Sequence, residues 1–108
     1  MKLAEEIGEA ALLELTAEEC MEAAHAALKL ARLIRGENPT PASRKVVREN
    51  LAEEIADVSI CLGAVFEAGI ADREEAKRIR HAKKVRMQER IRMAKATGGT
   101  AGKEGEGL

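Results

Sequence analysis

Between Ser43 and Gly69 the chain repeats one apolar spacing, with Val47, Leu51, Ile55, Val58, Leu62 and Val65 recurring every three or four residues. That period follows the 3.6-residue turn of an α-helix and does not suit a strand, whose faces alternate at every second residue. An upstream segment keeps the same period through Leu13, Cys20, Ala24, Ala27, Ala31 and Ile34, up to Gly36, a residue suited to end a helix. The apolar residues are almost all aliphatic, with one Phe and no Trp or Tyr. Such a composition favours helix–helix packing over a sheet, and the chain is predicted to be all-α.

A chain of 108 residues holds material for one core. Residues 1–95 are predicted to form a single all-α domain, and residues 96–108, Gly-rich and without apolar anchors, a disordered tail. Helix breaks are expected at Gly8 and in the "GENPTPAS" segment, where Pro39 and Pro41 mark a loop and Ser43 can cap the following helix. Asp72 and Glu75 spell a capping box for a last helix reaching about residue 95. Thr16 and Glu19 spell another, but the apolar period runs unbroken across residue 16, so one continuous helix is predicted there.

The opening "MKLAEEIGEA" lacks the apolar core of a signal peptide, and no later run approaches the roughly 20 apolar residues that cross a bilayer. A cytoplasmic protein without a membrane partner is expected. Cys20 and Cys61 fall on apolar helix faces with no zinc-site spacing around them, and are predicted to be reduced core residues. Net charge is −1, but it is unevenly distributed: acids outnumber bases two to one over residues 1–72, whereas residues 73–95 are strongly basic.

The acids of the two apolar helices are the informative ones. On a helical wheel Glu54 falls between the Val47–Val65 stripe and Cys61, Asp57 borders the stripe on the same side, and Glu53 points outward. In the earlier helix Glu19 and Glu22 are interleaved with Leu15, Ala26 and Leu33, while Glu18 points the opposite way. A carboxylate partly buried without a partner is costly or stays protonated, so four of them need a counter-charge. Two such pairs on facing helices suit a hard divalent cation, above all Mg²⁺, which takes oxygen ligands. His25 and His81 stand outside the cluster, which argues against zinc or a di-iron site built on Glu-x-x-His.

"EECMEAAHAALK" (18–29) followed by "EEIADVSICL" (53–62) resembles the MazG-like all-α nucleoside triphosphate pyrophosphohydrolases, whose hallmark is EExxE on one helix and ExxD on the next. The likeness covers about residues 9–92. It implies a Mg²⁺-dependent enzyme, with Mn²⁺ as a substitute, whose metal ligands are Glu19, Glu22, Glu54 and Asp57. It makes Lys29 the counterpart of a Lys that often follows the first motif. It further implies helical subunits assembled as a homodimer or homotetramer, with the EExxE and ExxD helices facing each other. Glu18 and Glu53 would have supporting parts or none.

The last helix adds its own geometry: Lys83, Arg86 and Arg90 share a side with Ala76, Ile79 and Met93, a cationic row suited to a triphosphate. The expected reaction converts a nucleoside triphosphate to the monophosphate and pyrophosphate, with Glu19 or Glu22 as the proton acceptor. Weak base stacking, from the lack of Trp and Tyr, suggests broad or housecleaning specificity. The rival expectation is a non-enzymatic interaction module that uses the basic helix 73–95. Nucleic acid is a poor partner for it, because no aromatic row offers stacking and the acidic body repels phosphates.

Overall fold

The computed structural model describes residues 2–37 and 43–98, all helix, cap or turn. Four helices follow in order: α1 (Leu3–Ile7), α2 (Glu9–Arg35), α3 (Arg44–Glu67) and α4 (Arg73–Ala96), and no strand occurs among the described residues. The loop prolines Pro39 and Pro41, and residues 99–108 of the Gly-rich tail, lie outside the described residues. The chain divides into two compact units, Met1–Ala71 and Asp72–Leu108.

In the first unit, α1 is one short turn that ends at Gly8, and α2 then runs for 27 residues without interruption. Thr16 does not start a helix: its hydroxyl turns back and donates to the Leu12 carbonyl at 2.7 Å. At the far end Gly36 takes the left-handed conformation (φ 74°). Its N–H donates to the Leu33 carbonyl, and that of Glu37 to the Arg32 carbonyl, closing the last turn in a Schellman motif. Ser43 opens α3, its Oγ accepting from the Val46 N–H at 3.2 Å. In the second unit, Asp72 Oδ1 accepts from the N–H groups of Glu74 at 2.9 Å and Glu75 at 3.2 Å, which starts α4.

Helices α2 and α3 pack along each other, and α1 touches both. Thr16 lies beside Cys61, and Glu22 beside Glu54. Moving up α2 therefore means moving down α3, so the pair is an antiparallel hairpin. Its seam on α2 is Leu12, Thr16, Glu19, Ala23, Ala26, Leu30 and Leu33; on α3 it is Val47, Leu51, Glu54, Val58, Cys61 and Val65. All thirteen are buried or half-buried, and each set alternates steps of four and three, the spacing that keeps two helices in register.

This seam corrects the predicted stripes. On α3, Ile55 is 52% and Leu62 43% exposed, and their places are taken by Glu54 and Cys61. On α2 the predicted stripe lies one residue away from the seam, and Leu13, Cys20, Ala24, Ala27 and Ile34 are exposed. Cys61 is buried as expected; Cys20 is not. The reason is that α2 is apolar on two adjacent faces. Apolarity shows that a face needs cover, but not which neighbour supplies it, and α3 takes the face that includes Glu19.

Candidate metal centre

The seam spacing brings the acids together. Glu19 occupies the layer between Thr16 and Ala23, and Glu54 the layer between Leu51 and Val58. Glu22 and Asp57 each follow one helical turn later on their own helix, rotated toward the same side of the hairpin. Carboxylate oxygens of Glu19, Glu22 and Glu54 lie within 4.8 Å of one another. Asp57 is outside that group of three, yet its charge is felt by both Glu19 and Glu54.

One oxygen of Glu19 and one of Glu54, Oε2 in each, are buried without a hydrogen-bond partner. Burial, followed by repulsion from Glu22 and the other acids, pushes both carboxyl groups above the ordinary carboxylate range. Glu22 itself is exposed, whereas Glu19 and Glu54 are half-buried. Next to it, burial also pushes the Cys61 thiol up, and a hydrogen bond with Thr16 opposes that only in part. The thiol stays protonated, and the cluster offers oxygen donors alone.

The remaining predicted residues are distributed as follows. Lys29 is half-buried, two turns beyond Glu22 on the same flank of α2. Glu53 is exposed on that flank of α3, and Glu18 is exposed on the same flank of α2, about 100° from the seam rather than opposite it, because the seam runs through Glu19 and Ala26 and not through Ala27. Lys83, Arg86 and Arg90 are exposed on α4, in the second unit. The inward side predicted for them is not distinguished there: no α4 residue is buried, and Met93, on the same row, is 67% exposed.

No protein-family model, curated protein or solved structure matches this chain. Two orphaned buried oxygens, a third carboxylate within 4.8 Å and no competing thiolate fit a hard cation with oxygen ligands. Both glutamates stand at seam positions and not at the margin of an apolar stripe. The signal was present, since the four-three spacing runs unbroken through Glu19 and Glu54 once an acid is allowed in an apolar series.

Proposed function

We propose that this chain is a Mg²⁺-dependent nucleoside triphosphate pyrophosphohydrolase of the MazG-like kind, converting a ribo- or deoxyribonucleoside triphosphate to its monophosphate and pyrophosphate. The observation that carries this reading is the pair of buried, unpartnered oxygens of Glu19 and Glu54 beside the carboxylate of Glu22. Like charges gathered in a helix seam destabilise the fold unless a cation offsets them. The order of motifs, Glu18-Glu19-x-x-Glu22 and then Glu54-x-x-Asp57, narrows the choice of enzyme.

In this reading Glu19, Glu22, Glu54 and Asp57 hold Mg²⁺, or Mn²⁺ in its place. Once bound, the cation supplies positive charge against phosphate oxygens and acidifies water. Glu22, the exposed member of the cluster, accepts the proton of the attacking water, with Glu19 the alternative. The water oxygen bonds to the α-phosphorus as the bridging bond to the β-phosphate breaks, and pyrophosphate leaves. Lys29, Lys83, Arg86 and Arg90 have the phosphate-binding role, the arginines through their forked N–H groups. The proposed setting is cytoplasmic; no described helix is long and apolar enough to cross a membrane. The proposed assembly is a homodimer or homotetramer.

The test is phosphorus NMR of the purified protein with Mg²⁺ and each common nucleoside triphosphate. Monophosphate with pyrophosphate, abolished by chelation, is the expected result. Orthophosphate alone would place cleavage at another bond, and no product would refute the hydrolase.

One observation favours a second reading. Helix α4 forms its own unit, buries no residue and displays ten basic side chains between Arg73 and Lys95. In that reading the chain is an interaction module that binds an acidic partner through α4. Salt-sensitive binding to a polyanion, together with the absence of turnover, would select it.

A further inference from the structure

Helix α4 is basic, but not evenly so. At about 100° per residue, the arc within about 100° of Met87 on either side carries every base of the helix except Arg78 and Arg92. It carries none of the acids: Glu74, Glu75 and Glu89 all fall on the other arc. Eight bases without an acid therefore face one way, and two bases with three acids the other. Charge that served only to keep a helix in water would not need to be divided like this. A one-signed arc calls for a counter-charge on that side.

The basic arc has two parts. Lys83, Arg86 and Arg90, the proposed substrate row, lie to one side of Met87, and Lys77, Arg80, Lys84 and Lys95 to the other. A triphosphate occupies the first part only. The second row is exposed throughout and spans about 27 Å from Lys77 to Lys95, at about 1.5 Å per residue. Lys77 meets Glu74 at 3.6 Å, so Arg80, Lys84 and Lys95 are its main charges toward a partner. Along the middle of the arc runs an apolar strip made of Met87, 49% exposed, with Ala76, Ile91 and Ala94, all half-buried.

We infer that the second row and the Met87 strip dock an acidic amphipathic helix of a partner polypeptide, one that carries Glu or Asp beside an apolar stripe. Charge complementarity sets the sign of the partner, and the strip sets its class. A nucleic-acid backbone would pair with the row but leave Met87 and Ile91 uncovered, and α4 has no aromatic residue for a base to stack on. A lipid surface calls for bulky or aromatic anchors, and α4 has no Trp, Tyr, Phe or Leu. An opposing helix repeats at the same step of three or four residues, so its acids meet the row while its apolar stripe meets the strip. The inference deepens the second reading and rests on it for α4 as the binding element. It does not require turnover to be absent.

The experiment titrates the full chain into four probes. These are a labelled peptide of three heptads with Leu at a and d and Glu at e and g, polyglutamate of the same charge, a short duplex DNA, and vesicles of phosphatidylserine and phosphatidylcholine. Fluorescence anisotropy reads the first three and co-sedimentation the vesicles. The peptide is expected to bind about 10-fold more tightly than polyglutamate, because only the peptide covers Met87. Arg80→Glu with Lys84→Glu should weaken the peptide by about 10-fold or more, and Arg78→Glu with Arg92→Glu, the same charge change on the other arc, by less than about 3-fold. Met87→Gln should weaken the peptide by about 5-fold and leave polyglutamate unaffected. Equal binding of the two acidic probes would keep the second reading and overturn this inference; no binding of either would overturn both. Equal effects of the two charge reversals, or tighter binding of DNA or vesicles than of the peptide, would also overturn it. The comparison of peptide with polyglutamate needs no variant, so it stands even if a charge reversal unwinds α4.

Discussion

Glu19 on α2 and Glu54 on α3 bring carboxylate oxygens within 4.8 Å of each other across a helix seam, and each keeps one oxygen buried without a hydrogen-bond partner. Their neighbours along the seam are Thr16, Ala23, Leu51 and Val58, none of which brings a compensating charge. A seam of this spacing normally carries aliphatic side chains at every layer. Two layers given to acids weaken the apolar contact between α2 and α3, and a bound cation would turn the same two layers into a point of attachment.

Replacing Glu54 with Gln keeps the shape and removes the charge. Mg²⁺-dependent turnover should fall by more than about 100-fold, beyond the 10–100-fold typical of residues that only support a metal ligand, while circular dichroism stays helical. Steady-state kinetics on the folded variant decides the matter. An active Glu54→Gln protein would remove Glu54 from the site.

The same pair sets a pH dependence for the metal-free protein. Both carboxyl groups are raised from an ordinary 4.5 in the folded chain. The folded state therefore keeps protons that the unfolded chain has already released, and this contribution to stability declines as pH rises from about 4.5. Relative to Glu54→Gln, the unmutated protein should lose Tm across that window, and Mg²⁺ should restore it. Thermal unfolding at several pH values checks the sign. A Tm difference that moves the other way would mean that the acids have found a partner.

Gly36 sits at φ 74°, with nothing within 4 Å of the place where a Cβ would stand. The cost of Gly36→Ala is therefore backbone strain alone. Urea unfolding should show a loss of about 1 kcal/mol, the penalty of the left-handed region for a residue with a Cβ. No loss would mean that α2 ends differently in solution.

Asp72 holds two N–H groups at the start of α4. Asp72→Ala should remove about 1 kcal/mol of helix stability, whereas Asp72→Asn should retain most of it. Because α4 buries no residue, the loss should appear directly as reduced helical ellipticity. An unchanged spectrum would show that α4 is held by something other than its cap.

Local structure was legible wherever one residue type has one conformational use. Gly8 and Gly36 bound α2, Ser43 and Asp72 cap the helices they precede, and the unbroken period across Thr16 reads correctly as one helix. The candidate site was legible as a set of acids but not as an arrangement. The wheel placed Glu54 at the margin of an Ile55–Leu62 stripe, whereas the seam runs through Glu54 and Cys61.

What the sequence by itself determined is the helical period, the places where helices start and stop, and the presence of two acid motifs in apolar surroundings. These follow from local chemistry, namely caps, left-handed glycines and the 3.6-residue turn. Only the tertiary structure decided which of the two apolar faces of α2 meets α3. That choice depends on matching the four-three layers of both helices at once, and it turned Glu19 and Glu54 inward while leaving Leu13, Ala27 and Ile34 uncovered.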